Sequence, residues 1–205
     1  ATRLVWLEAA GSVTLEFPDL AALVRVCQAR SVLTALDNTW GAGLAFRPFD
    51  LNAGTGQTLA VDLTVHALTK YPSGGGDVLM GSIITRDPQL HLRLRTTRRH
   101  IGMGVSGNDV EAILRGLPSI GLRYRHHDTS TRALAHWALT RSEFAQVLHP
   151  ALPDSPGHAY WRTLCQQGPG GAAGLFSVIL IGLFVENVIF RNIELRTVRR
   201  WGMQS

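Results

Sequence analysis

The stretch Arg3-Leu4-Val5-Trp6-Leu7-Glu8, answered further on by Val32-Leu33-Thr34-Ala35-Leu36-Asp37, decides the fold. Each is a short apolar run ending in a charge, the pattern of a strand buried in a sheet. Between them, residues 18–30 open on Pro18, which suits a first helical turn, and set Leu20, Leu23, Val24 and Cys27 on one face. Strand, helix and strand within about forty residues make a βαβ unit, and a βαβ unit implies a parallel sheet.

Outward from that unit, residues 52–58 read as a loop rich in Gly, Thr and Asn, 61–67 as a third strand and 78–85 as a fourth. From Pro88 the period becomes helical. Residues 88–99 carry Leu90, Leu92 and Leu94 among arginines. Residues 108–117 follow, with Ser106 or Asn108 available as cap, and 122–140 form a longer amphipathic helix. Residues 147–149 read as a short strand. Residues 150–157, with three prolines, read as a boundary or linker. A short helix over 158–166 and an apolar strand over 174–180, separated by a glycine-rich loop, complete the pattern.

The chain has 205 residues, 45% hydrophobic and 17% charged, which is room for one full core or one domain and part of another. Cys27 and Cys165 make neither a disulfide framework nor a metal cluster. They read as plain thiols of a reducing, cytoplasmic compartment. Eight histidines show no metal-ligand spacing, so no metal is expected. The net charge of +5 comes from scattered arginines, paired only at Arg98-Arg99 and Arg199-Arg200 without interleaved aromatics. That is a solvated face, and no nucleic-acid partner is expected. The apolar run 174–190 is interrupted by Glu186 and Asn187, short of the ~18 apolar residues of a membrane span. Residues 1–8 begin in a strand-like run without a basic leader, so the chain is expected to start inside a domain.

Lys70 is the sole lysine of the chain, and it follows the third strand in Thr69-Lys70-Tyr71. Asp37 ends the second strand. Ligands of open parallel sheets sit beyond the carboxyl ends of the strands. An amine and a carboxylate placed there suit pyridoxal 5'-phosphate: the amine forms a Schiff base with its aldehyde, and the carboxylate holds its ring nitrogen protonated. Thr69 offers a hydroxyl to a phosphate oxygen, and Gly74 to Gly76 permit a tight turn nearby. The same residues also admit plainer roles. Asp37-Asn38-Thr39 fits a turn, and a lysine before a tyrosine fits a solvated surface.

Several segments in order resemble the Cys/Met-metabolism family of pyridoxal phosphate enzymes over roughly residues 3–180, and within it the β-lyases. Leu7-Glu8 with Gly11-Ser12-Val13-Thr14 resembles LESPGS(I/V)T. Asp37-Asn38-Thr39-Trp40 with Ala42-Gly43 resembles DNTWAAG, where γ-acting relatives usually carry Phe after Thr. Ala67-Leu68-Thr69-Lys70-Tyr71 resembles (S/A)xTKY, and His149-Pro150-Ala151-Leu152-Pro153 with Ser155, Gly157-His158 and Trp161 resembles HPALPxSxGHxxW. Gly174-Leu175-Phe176-Ser177 resembles the entry into the C-terminal domain. Ala9-Ala10 stands for the usual Ser-Pro, Ala67 lacks a hydroxyl common in relatives, and Gly76 replaces His or Ser.

The resemblance implies an α/β, aspartate-aminotransferase-like (fold type I) large domain, a mostly parallel sheet flanked by helices, and incomplete. Residues 1–149 would belong to that domain, 150–180 would start the small C-terminal domain, and 181–205 match nothing expected, as after a frameshift or in a truncated gene model. It implies Lys70 as Schiff-base lysine and proton shuttle, Asp37 on the ring nitrogen, Thr69 on the phosphate and Ser12 near the ring. The implied reaction is α,β-elimination of L-cystathionine to homocysteine, pyruvate and ammonia, by a homotetramer in the complete enzyme. Two alternatives stand beside it: a non-catalytic remnant, and a γ-acting or cysteine desulfhydrase relative. Because relatives carry further cofactor and substrate donors in segments this chain lacks, the chain by itself is expected to show weak cofactor colour and no pyruvate.

Overall fold

A computed structural model describes residues 2–52 and 58–165. The expected strand at 174–180 and the divergent segment 181–205 lie outside them. Strands β1 (Leu4–Glu8), β2 (Leu33–Asp37), β3 (Leu63–Ala67) and β4 (Gly81–Ile84) form one sheet in that order. The first three run parallel and β4 is antiparallel. The mostly parallel sheet with flanking helices agrees with the fold class read from the sequence.

Helix α1 (Leu20–Ala29) joins β1 to β2. Asp19 caps it by accepting the Ala22 N–H at 3.0 Å, which satisfies one of the four orphan donors of the first turn. Leu20, Val24 and Cys27 are buried, but Leu23 is 40% exposed, so the apolar stripe is one residue narrower than the sequence suggests. The two apolar strands also part company. Ala35 and Leu36 of β2 are enclosed, whereas β1 buries Leu7 and leaves Trp6 58% exposed. Among the described residues β1 is an edge strand with one covered face, not the doubly buried strand expected.

The third strand begins at Leu63 rather than at Val61. Val61 is buried, but its N–H goes to Pro48 O at 3.1 Å, outside the sheet. Asp62 then staples β3 to β2: one carboxylate oxygen takes both the Thr34 N–H and the Thr34 hydroxyl, at 2.7 and 2.8 Å. Thr34 is wholly buried, and this pairing is what lets a hydroxyl sit in the core. Val78 likewise falls before β4, buried but unpaired in the sheet.

Helix α2 (Pro88–His100) begins on Asp87, whose side chain accepts from Gln89 and Leu90. It ends on Arg98, Arg99 and His100, which complement the helix dipole, and it buries no residue. Ser106, not Asn108, caps α3 (Gly107–Gly116). A 3₁₀ turn (Leu117–Ser119) leads into α4 (Ile120–Leu139), which buries Tyr124, Thr131, Ala135 and Ala138. Helix α5 (His158–Cys165) closes the described chain, with Trp161 and Cys165 inside. No helix among the described residues is long and apolar enough to cross a membrane.

Residues 147–149 form no strand. Their polar groups turn inward to a local network instead: the His149 N–H donates to Ser155 Oγ at 3.0 Å, and His149 Nδ1 accepts from the Ala151 N–H at 3.1 Å. The proline-rich segment after them is held to the main body, with the Phe17 N–H donating to Pro156 O at 3.1 Å.

His149 is fully buried, and burial first, then the nearby Arg132 and His136 cations, push its pKa down to about 4. Its Nδ1 accepts a backbone hydrogen bond, so the native fold holds the neutral ring. The unfolded chain binds a proton below pH ~6.5, which the folded chain refuses until about pH 4. The stabilisation is therefore complete above pH ~6.5 and is lost progressively as pH falls towards 4, by about 3 kcal/mol. Urea unfolding across that window should show the loss, and His149→Gln should flatten the slope. An equally steep slope in the variant would exclude His149 as its source.

Candidate active site

The carboxyl ends of the parallel strands gather the predicted site residues. Asp37 closes β2 and is flanked in register by Glu8 of β1 and Val65 of β3. Its Oδ1 accepts the Thr39 N–H at 2.9 Å, a local turn that bends the chain off the sheet. The turn reading of Asp37-Asn38-Thr39 is thus correct, and it occupies only one carboxylate oxygen. Thr39 Oγ1 accepts the Ala67 N–H at 2.9 Å, and the Asn38 N–H donates to Val65 O at 2.9 Å. Strand pairing thereby continues past the sheet, and the exits of β2 and β3 stay together. Asn38 is wholly buried, with neither side-chain amide atom partnered among the described residues.

Beyond Ala67 the chain makes a compact turn. The Lys70 N–H returns to Ala67 O at 3.2 Å, the Ser73 N–H goes to Leu68 O at 2.9 Å, and Ser73 Oγ donates to Thr69 O at 2.7 Å. Thr69 Oγ1 accepts the Met80 N–H at 3.3 Å, so its hydroxyl proton remains for another acceptor. The Lys70 side chain is exposed and folds back over the β2 exit, with Nζ 4.4 Å from the centre of the Trp40 ring. That is cation–π distance. The amine therefore stands over a residue three positions from Asp37, not loose on an outer face. Ser12 is exposed and donates to the Glu8 carboxylate, at the same end of the sheet.

Three neighbours were given no role by the sequence reading, although Tyr71 stands in the lysine motif. His66, half-buried on β3, has its pKa lowered by burial, against the opposing pull of Asp37. Tyr71 is buried against Tyr124, ring centres 5.0 Å apart. Burial, then the Asp128 carboxylate, push its phenol above the ordinary range. Arg123 reaches the lysine turn from α4, donating to Tyr71 O at 2.6 Å. The alternation of β3 could have flagged His66. Nothing local marks the contacts to α4.

The donor set is of the kind pyridoxal phosphate needs: a strand-end carboxylate with one oxygen uncommitted by its turn, an amine folded back over the Trp40 ring at the neighbouring strand exit, and a hydroxyl proton at Thr69 free for an acceptor. Residues 1–195 match the model of the Cys/Met metabolism PLP-dependent enzyme family. The cystathionine beta-lyase of Bordetella avium is 34% identical over 179 residues, 87% of this chain and 42% of that protein. Cystathionine beta-lyase MetC of Escherichia coli (strain K12) is 32% identical over 181 residues, again 87% of this chain and 42% of its own length. Among solved structures, the cystathionine gamma synthase of Xanthomonas oryzae pv. oryzae in complex with cystathionine superposes with a TM-score of 0.72 at 30% identity, over 83% of this chain and 41% of that one. The chain thus spans about 42% of the length of these curated relatives. A lysine turn and an aspartate turn lie together at the carboxyl edge of a mostly parallel sheet of fold type I, and the chain belongs to the Cys/Met metabolism family of pyridoxal-phosphate-dependent enzymes.

Proposed function

We propose that the chain carries the lysine-bearing part of a carbon–sulfur lyase that cleaves L-cystathionine by α,β-elimination, releasing homocysteine, pyruvate and ammonia. The observation that carries this is the Lys70 amine folded over Trp40, at the strand exits where Asp37 stands. Bound there, pyridoxal phosphate supplies an electron sink for the charge left when the substrate loses its α-proton. Lys70 Nζ would take that proton and hand it to the departing thiolate sulfur, and water would hydrolyse the released imine to pyruvate and ammonia. Asp37 would offer its carboxylate to the ring nitrogen and the Thr69 hydroxyl its proton to the phosphate. Ser12, hydrogen-bonded to Glu8 at the same end of the sheet, would lie near the ring. In this reading residues 1–149 are part of the cofactor-binding domain and 150–180 begin a second, and the complete enzyme works as a homo-oligomer, a tetramer, in the cytoplasm.

A γ-acting reading stands second, since a γ-synthase shares the scaffold. Tryptophan at position 40, beneath the lysine, favours the β branch through the motif it completes. Product analysis with L-cystathionine, run on the complete enzyme of which this chain is the lysine-bearing part, separates the two. Pyruvate with homocysteine meets the proposal, 2-oxobutyrate with cysteine replaces it by the γ reading, and cofactor uptake without either product leaves a binding remnant. Asp37→Asn should weaken cofactor binding in a pyridoxal phosphate titration by about ten- to a hundredfold, the worth of one charge-assisted hydrogen bond. An unchanged titration curve would remove Asp37 from the site.

A further inference from the structure

We infer that Arg123 is a positioning residue for Lys70, acting through the backbone of the turn that carries it; this rests on the assignment of Lys70 to the cofactor. Every nitrogen of the Arg123 guanidinium is committed. Nη1 donates to Tyr71 O at 2.6 Å, Nη2 to Gly116 O at 2.8 Å and Nε to Ser119 Oγ at 3.1 Å. The first of these acceptors is the carbonyl next to Lys70. The other two lie at the end of α3 and in the 3₁₀ turn. One rigid, planar group therefore spans from the lysine turn to the helical layer, which a flexible lysine in its place could not do.

The close approach of the two parts makes the tie short. A Cβ on Gly116 would lie 2.3 Å from Pro72 O and 2.6 Å from Ser73 O, so α3 ends directly on the backbone of the lysine turn. The residue after Arg123 grips the other half of the site. The Tyr124 hydroxyl, fully buried, donates to Trp40 O at 3.1 Å, and its ring packs on Tyr71. Two consecutive residues of α4 thus hold both strand exits, one through Tyr71 and one through Trp40. The placement of the lysine turn relative to the Trp40 segment is set from outside the sheet.

The test is borohydride trapping of pyridoxal phosphate on the full chain, with a synthetic peptide of residues 63–80 as reference for an unpositioned lysine. Amide hydrogen exchange over 70–76 is read in parallel without cofactor. The wild-type chain should trap at Lys70 faster than the peptide. Arg123→Gln should lose about ten- to a hundredfold of that rate, as for a small misplacement of a reacting group, and its 70–76 amides should exchange faster. Arg123→Lys, able to reach one acceptor rather than three, should fall between the two.

Arg123→Gln with wild-type trapping and exchange would overturn the role of Arg123 alone. Wild-type trapping no faster than the peptide would overturn the cofactor assignment itself, and the positioning role with it. If Arg123→Gln does not fold, Arg123→Lys decides: intermediate trapping upholds the role, and wild-type trapping and exchange overturn it.

Discussion

Lys70→Ala should abolish covalent capture of pyridoxal phosphate by any side chain of the folded protein. The expectation is unusually clean because the chain offers no second ε-amine: of its 20 Lys and Arg residues, all but Lys70 are arginine. Guanidinium groups remain protonated and do not condense with the aldehyde under these conditions. After borohydride reduction, the intact mass should show only the reaction of the amino terminus, and peptide mapping should find nothing at 69–71. The fold should be indifferent to the change. Lys70 is exposed, and its contact with Trp40 is a surface cation–π pair worth about 0.5–1 kcal/mol. Thermal unfolding of Lys70→Ala should therefore shift little. A specific adduct that persists inside the folded variant would mean that the cofactor sits elsewhere.

The largest stability effect should come from Gly157→Ala, far from that chemistry. Gly157 has φ +80°, and a Cβ there would stand 1.8 Å from Phe17 O and 2.7 Å from Phe17 C. These are backbone atoms, so no side-chain rotation relieves the clash. Phe17 cannot retreat either. It is 2% exposed, meets Phe46 edge-on at 6.2 Å, and its own N–H is held by Pro156 O. The left-handed conformation costs a non-glycine residue about 1–3 kcal/mol and overpacking a further ~1–3 kcal/mol. Together these approach the whole stability of a small domain, ~5 kcal/mol. Urea or thermal unfolding should show a collapse of the transition or no folded baseline. A loss under about 1 kcal/mol would mean that the 156–158 segment is not seated on Phe17.

The βαβ core was legible because its determinants are local. Apolar runs ending at Glu8 and Asp37 mark β1 and β2 to within a residue, whereas Pro18, read as part of the first helical turn, falls before the Asp19 cap of α1. The fourth strand's antiparallel direction was not legible, since direction depends on partners and not on period. Val61 and Val78 were absorbed into strands because burial and strand membership give the same apolar signal; only their hydrogen bonds tell them apart. The His149 segment misled for the same reason, its inward side chains serving a turn. The positions of Lys70, Asp37, Thr69 and Ser12 in the fold were readable from motif and strand order. What holds them was not: Arg123 lies 52 residues from Tyr71 and Tyr124 lies 84 from Trp40, and no spacing rule reaches that far.

The indole under the lysine has an optical consequence. The attraction between an ammonium and an aromatic face exists only while the nitrogen is charged. Condensation with an aldehyde draws that nitrogen away to a new partner, releases the side chain from the ring and alters the polarity felt by Trp40. The difference in ultraviolet emission between the chain and its Trp40→Phe variant, four other tryptophans being common to both, thereby becomes an intrinsic gauge of where the amine is held.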